Sequence, residues 1–589
     1  MSILVETDLV IPMRDGCRLY ADVYRPADDQ EHPTLAHIAY VSRRSKTGIF
    51  LVLNPIETIE RGYALVIADA RGTFGSEGDW TPFHDHGSDG YDVVEWSASQ
   101  PWSNGKVGMF GSSGQGMTVS QTLVAAPPHL RAAMLLYTGA NPFDGWAYSN
   151  GVLEWGFAIS WAADITARSR LSRVADPARK EALAESLRDA VADPARLFRH
   201  LPLSDDSLLP RDLAPWLYEW LAHDTYDDYW ESVDAVAHAN LIRCPVLQVA
   251  GWYDSFLRGQ LDLAHALRSH PDPSVRDTSR ILIGPWDHHS YITIPDPKAP
   301  SSSGVRDFGP DASTGIAFMT DTGLTWFDRW LRDPGAAAEW SGSDSLTADR
   351  VKYYSVGART WRSTDAWPPA SSPFDFYLHS NGKANTRFGD GWLDGVAAAN
   401  EPPDTYVYDP LDPVPSVGGS TTLVGPAGIQ NQADVEERSD VLVYTSGLLH
   451  LPLAIAGSVS LELFAATSGV DTDFTAKLVD VEPTGFCVNA CEGIARVGVE
   501  LAKATSTMTT GATVQVSIRL NDIAYQFNVG HRVRVEISSS NFPRFARNLN
   551  SPTHPHNAKP ADALPAVQRI FHDADRPSRL VVPVVEPQL

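Results

Sequence analysis

Two adjacent serines, Ser112 and Ser113, stand among glycines in GMFGSSGQGM (108–117), directly after an apolar run. A serine that attacks a carbonyl needs its hydroxyl held clear of the backbone, beside a base and near two hydrogen-bond donors. A sharp strand-to-helix turn presents a side chain in this way, and its crowded geometry requires small neighbours. Gly111, two residues before Ser113, and Gly116, three after it, supply that room. The spelling is Gly-x-Ser-x-x-Gly rather than Gly-x-Ser-x-Gly, because Gln115 occupies the plus-two position. Taken alone, the motif fits a flexible Gly-Ser loop equally well, and Ser112 rivals Ser113 as the nucleophile.

The partners expected of such a serine lie far along the chain. Asp254 closes the strand-like run CPVLQVAGWYD (244–254), and His288 follows the strand in SRILIGPWDHH (279–289), with His289 as its rival. The order serine, aspartate, histidine, each at the carboxyl end of a strand, is the one found in the α/β-hydrolase arrangement. On this reading His288 takes the Ser113 proton as the hydroxyl attacks an acyl carbon. Asp254 orients the imidazole and stabilises its charged form. The backbone N–H of Gly114 meets the developing oxyanion, and a second donor is expected from the loop after TLAHIAYV (34–41).

The elements that must position these residues follow from the hydrophobic pattern. TLAHIAYV (34–41), YALVIADA (63–70) and VGMF (107–110) are short apolar runs suited to buried parallel strands, and GSDGYDVVEWSAS (87–99) reads as the helix between the last two. Residues 144–240 carry helix-like stretches such as DPARKEALAESLRDAVA (176–192), broken by Pro and Asp, and read as a helical insertion. GIAFMTDTGLTWFDRWL (315–331) reads as an amphipathic helix. Beyond LRDPGAAAEWSGSDS (331–345) come short alternating runs, VKYYSVG, FDFYLHS, SVSLELFAA, VQVSIRL and HRVRVEISSS, the mark of an all-β sandwich. The expected fold is thus an α/β core built from 1–143 and 241–350, a helical cap at 144–240, and a β-sandwich at 351–589.

Composition narrows the function classes. A chain of 589 residues is long enough for several domains, and its 20% charged residues are ordinary for a soluble protein. The net charge of −25 argues against a nucleic-acid partner. No apolar stretch reaches the length of a membrane span, and the start shows no basic region followed by an apolar one, which points to a cytoplasmic home. Cys487 and Cys491 lie in a strand-like run whose spacing holds their sulfurs too far apart to bridge. No cofactor is required, since a triad of this kind works without metal and no His/Asp/Glu cluster of metal spacing stands out.

The stretches VIPMRDGCRLYADVYRP (10–26), ADARGTFGSEGDW (68–80), NGKVGMFGSSGQGM (104–117), AGWYDSF (250–256), GPWDH (284–288), YDPLDPVPSVGG (408–419), VDTDFTAKLVDV (470–481) and SSSNFPRF (538–545) carry a resemblance spread over nearly the whole chain. The sequence resembles the bacterial cocaine-esterase group of serine hydrolases, related to X-prolyl dipeptidyl aminopeptidases, α-amino-acid ester hydrolases and glutaryl acylases. The resemblance implies an α/β-hydrolase core, a helical cap and a C-terminal jelly-roll, with Ser113, Asp254 and His288 as the triad. It also implies a tyrosine hydroxyl as the second oxyanion donor, and Tyr40 is the tyrosine in that loop, although simple alignment sets Val41 opposite the expected position. Relatives usually carry a tyrosine directly after the nucleophile, where this chain has Gly114. Trp161 aligns with an acyl-pocket tryptophan, and Phe256 follows Asp254 closely; both are candidates for holding the acyl group, with core packing as the competing role.

The expected substrate is a small-molecule ester or amide with a small or aromatic acyl part. An X-Pro aminopeptidase is an alternative; it needs carboxylates to hold an α-amine, and Glu154 and Asp164 are its candidates. Acyl transfer and a catalytically inert binding module are further alternatives, and a homodimer is left open.

Overall fold

The computed structural model describes residues 2–44, 52–290, 302–332, 349–498 and 510–586. Most of the stretch LRDPGAAAEWSGSDS, after which the alternating runs begin, lies outside the described residues. The first half is organised on a ten-stranded sheet. Ile3–Pro12 and Arg18–Pro26 form an antiparallel edge against Ala64–Asp69. The sheet then runs parallel through Ala64–Asp69, His32–Ala39, Ser103–Ser112, Leu130–Leu136, Val246–Tyr253 and Arg280–Asp287. Ala64–Asp69 and Val246–Tyr253 are buried along their whole length. That burial is why they read as unbroken apolar runs: helices cover both faces of such a sheet. Helices His86–Ala98, Ser113–Ala125, Leu257–Arg268 and Ile316–Leu331 provide the cover.

One boundary differs from the sequence reading. The run VKYYSVG, expected with the C-terminal sandwich, supplies Val351–Ser355, which pairs parallel to Arg280–Asp287 with Ile281 opposite Val351. It then turns back as Thr360–Thr364 to close the first sheet. A five-residue alternating strand carries no local mark of the sheet it joins, and tertiary pairing decides.

Between Leu130–Leu136 and Val246–Tyr253 the chain is mostly helical. The Asp-Pro pairs that interrupt this region are helix starts. Asp176 caps Pro177–Ala192 by accepting the Ala178 N–H at 3.0 Å, and Asp193 caps Pro194–Arg199 by accepting the Arg196 N–H at 3.1 Å. Proline fits the first helical position because that N–H has no intrahelical partner. A π-helical turn, Trp161–Thr166, follows Trp155–Ser160. The C-terminal half is a separate β-rich domain of eleven strands from Ser372–His379 to Arg579–Val584. All four cysteines are free thiols. No helix among the described residues is long and apolar enough to cross a membrane.

The two halves meet across a buried ionic bridge. Arg544, from the β-rich domain, pairs with Glu154 at 3.1 Å and also with Glu492. Gly156 lies so close to this surface that a Cβ there would stand 2.5 Å from the Pro543 carbonyl oxygen, and its N–H donates to that oxygen at 2.9 Å.

Candidate active site

Four strands of the parallel sheet end at one rim, and each delivers a side chain there. Tyr40 follows His32–Ala39, Ser113 follows Ser103–Ser112, Asp254 follows Val246–Tyr253, and His288 follows Arg280–Asp287. The carboxyl edge of an open α/β sheet is where ligands bind in this class of fold.

Ser113 has φ 53°, a left-handed conformation that a residue with a side chain adopts only under constraint. The constraint comes from its neighbours. A Cβ on Gly111 would lie 2.6 Å from the Gln115 carbonyl oxygen, and one on Gly116 would lie 2.7 Å from the Thr138 side chain. Only glycine fits either position. Thr138 also donates its hydroxyl to the Ser113 carbonyl at 2.7 Å, which fixes the turn from outside. Ser112 faces the other way: it is fully buried, and its hydroxyl has no hydrogen-bond partner among the described residues.

His288 bridges the serine and the carboxylate. Its Nδ1 lies 3.0 Å from Asp254 Oδ2, and its Nε2 lies 3.0 Å from Ser113 Oγ. An ionised carboxylate can only accept, so Nδ1 carries the hydrogen and Nε2 is the acceptor for the serine hydroxyl. Asp254 is itself fully buried and receives the Phe256 N–H on Oδ1 at 2.8 Å, which holds both oxygens in register. His289 is exposed, with its ring edge-on to His288 at 5.9 Å. The structure therefore brings Ser113, Asp254 and His288 together and leaves both rival residues outside the chain of hydrogen bonds.

Gly114 opens the helix Ser113–Ala125, so its N–H points out of a helix N-terminus, where negative charge is favoured. The Tyr40 ring packs on this glycine: a Cβ there would stand 2.5 Å from Tyr40 Cε1 and 3.2 Å from its hydroxyl oxygen. The tyrosine hydroxyl interacts with the side chains of Trp161 and Ser113, and burial raises its pKa above the ordinary value, keeping it a protonated donor. Absence of a side chain at 114 thus leaves the space that Tyr40 fills. The loop carrying Tyr40 is held by Arg43, a residue that sequence reasoning passed over. Arg43 is buried, its N–H donates to Asp69 at 2.8 Å, and its guanidinium pairs with Asp69, with Asp8 at 2.5 Å and with Asp22 at 3.1 Å.

The two aromatic candidates have different surroundings. Trp161 is 3% exposed and lies edge-on to Tyr40 at 5.8 Å, within a cluster that includes Trp80, Phe83, Trp216 and Trp220. Its position at the start of the π-turn places the indole beside Tyr40, and π-turns recur at functional sites. Phe256 is fully buried, stacked on Trp146 at 3.8 Å and edge-on to His288 at 4.9 Å. It packs against the His288 ring. Trp252 and Trp286, which flank the triad in sequence, are buried and donate their indole N–H groups to the carbonyls of Tyr354 and Ala312, both at 2.7 Å.

Glu154 and Asp164 are already engaged. Glu154 faces Arg544 and accepts the Ser149 hydroxyl at 2.8 Å; Asp164 is exposed and pairs with Arg168 at 3.4 Å.

A buried carboxylate, an imidazole and a strained serine at one rim of a parallel sheet define a serine hydrolase. Residues 15–290 match the model of the X-Pro dipeptidyl-peptidase S15 family and residues 346–581 that of its C-terminal non-catalytic domain, while the chain is 34% identical to cocaine esterase from a Rhodococcus species over 99% of both chains. The protein belongs to the cocaine-esterase-like serine hydrolases of the S15 family. Among solved structures, an aminopeptidase from a marine-sediment Thaumarchaeota archaeon superposes with a TM-score of 0.79 at 24% identity, covering 99% of this chain and 96% of the other. An α-amino acid ester hydrolase gives a TM-score of 0.76 at 24% identity, with 99% and 97% covered. The shared fold is an α/β catalytic half followed by a β-rich half.

Proposed function

We propose that this enzyme cleaves carboxylic esters through an acyl-enzyme on Ser113. The observation that carries the reading is the pair of 3.0 Å contacts that link Ser113 Oγ, the His288 imidazole and Asp254. His288 Nε2 accepts the hydroxyl proton as Oγ attacks the acyl carbon, and Asp254 stabilises the imidazolium that results. The Gly114 N–H and the Tyr40 hydroxyl receive the oxyanion. Collapse of the tetrahedral intermediate returns the proton from His288 to the leaving alkoxide. Water then enters and attacks the acyl carbon as His288 takes its proton; collapse of this second intermediate breaks the bond to Ser113 Oγ, which regains the proton from His288 as the carboxylic acid departs. The wall of indoles around Trp161 favours a small or aromatic acyl group. A cytoplasmic location fits the four unpaired thiols.

The engagement of Glu154 by Arg544 weighs against an X-Pro aminopeptidase, which would require a carboxylate free to hold an α-amine. A panel of p-nitrophenyl esters of varied acyl chain, run beside X-Pro anilides on wild type and Ser113→Ala, tests both parts. Ester turnover that disappears in Ser113→Ala is expected. Retained turnover in that variant, with loss in Ser112→Ala, would overturn the assignment of the nucleophile.

A further inference from the structure

Three potential metal ligands come together although 330 residues separate Asp224 from His554. The ligand atoms of Asp224, His554 and His556 all lie within 4.8 Å of one another. Asp224 stands just beyond the insertion helix Pro215–Ala222, whereas the two histidines flank Pro555 in the C-terminal half. His554 Nε2 is 2.8 Å from Asp224 Oδ2. His556 is 3% exposed, and its Nδ1–H donates to the Leu221 carbonyl at 2.9 Å, which leaves Nε2 with its lone pair. A backbone carbonyl on the second ring nitrogen is the support that metal-binding histidines use. The loop is held as well, because the His556 carbonyl accepts the Ser204 N–H at 3.0 Å. The three residues border a cleft of about 370 Å³. Arg211, which also borders it, lies over the Tyr218 ring at 4.5 Å.

We infer that Asp224, His554 and His556 bind a divalent transition metal of the zinc type, with water completing its shell, and that the ion fastens the helical insertion to the β-rich half. Two imidazoles and a carboxylate suit zinc, whereas magnesium and calcium take oxygen ligands. Tetrahedral zinc, with bonds of about 2.0–2.1 Å, sets its ligand atoms roughly 3.3 Å apart, a spacing that small side-chain rotations reach. None of the three residues belongs to the Ser113 machinery, so the inference stands apart from the proposed reaction.

The test uses full-length protein stripped with a chelator, titrated calorimetrically with zinc chloride and separately with magnesium chloride. One zinc per chain is expected, with no magnesium binding and a rise in unfolding temperature of about 2–5 °C at a hundredfold excess over Kd. His554→Ala, at an exposed position, and Asp224→Asn should each weaken zinc binding by at least about tenfold while ester turnover is unchanged. His129→Ala removes an exposed imidazole elsewhere and should bind zinc as wild type does. Substoichiometric zinc, or wild-type affinity in His554→Ala, would overturn the site. Stoichiometric zinc that leaves both the unfolding temperature and hydrogen exchange across residues 215–222 unchanged would overturn its role as a fastener.

Discussion

Adding one methyl group at position 114 should disable the enzyme without unfolding it. In Gly114→Ala the new Cβ would stand 2.5 Å from Tyr40 Cε1, 3.1 Å from Cζ and 3.2 Å from the hydroxyl oxygen. Ordinary carbon–carbon contacts begin at about 3.5 Å, so the ring must retreat by roughly 1 Å. Gly114 lies in the first turn of a helix and outside the left-handed region, so alanine suits its backbone and should not lower stability. The retreat carries the tyrosine hydroxyl away from the oxyanion position. A misplacement of about 1 Å costs on the order of 10²-fold, and outright loss of an oxyanion donor about 10²–10³-fold in kcat. Gly114→Ala is therefore expected to lose about 10²-fold in kcat on p-nitrophenyl esters with KM little changed, and Tyr40→Phe about 10²–10³-fold. Because both variants disable one interaction, the double variant should resemble Tyr40→Phe alone rather than show the product of the two losses. If Gly114→Ala keeps kcat within about threefold of wild type while Tyr40→Phe collapses, or if the two losses multiply, the steric link is refuted.

Phe256→Leu should cost about 1–2 kcal/mol of stability and reduce kcat at constant KM, because the ring braces His288; a raised KM at unchanged kcat would instead make it an acyl contact. Arg43→Met leaves the fully buried Asp69 without its cation and should lower the stability of the catalytic half by about 3–5 kcal/mol in urea unfolding, with activity lost as the Tyr40 loop shifts; a loss under about 1 kcal/mol would contradict the packing described. Burial pushes His37 down to about 4 and His86 to about 3 from an ordinary 6.5. Below pH 6.5 the unfolded chain takes up protons at these sites that the folded chain refuses. Their contribution is fully present above that value and lost as pH falls toward 4 and 3, so the unfolding free energy from urea titrations should drop by up to about 2.7 kcal/mol per pH unit near pH 5, and a flat profile there would be evidence against neutral burial.

What the sequence revealed follows from what is local. Buried parallel strands announce themselves as apolar runs, and the residues just past their ends, 113, 254 and 288, inherit a common rim from the fold. The Asp-Pro pairs in the insertion, read as interruptions, proved to be helix starts, since a cap and a first-turn proline act within a few residues. Val351–Ser355 was placed with the wrong sheet because its pattern fits either one. Arg43 left no trace, because its three carboxylate partners come from three other strands or strand ends. The fit of Tyr40 to Gly114 was equally hidden: each position looked like a departure from the family pattern until the two were seen in contact. The convergence of residue 224 with 554 and 556 depends on how the halves dock, which no window of sequence encodes.

The bridge from Arg544 to Glu154 also sets a limit on how this enzyme can be divided. Trimming away the β-rich half would strand an anion beneath the very helix that leads into the indole wall, and an unpaired charge so placed is tolerated only if the surrounding structure gives way. The catalytic half is thus not a portable module, and insertions, fusions or recombination breakpoints between the halves must preserve that handshake for the roof over the serine to stay in place.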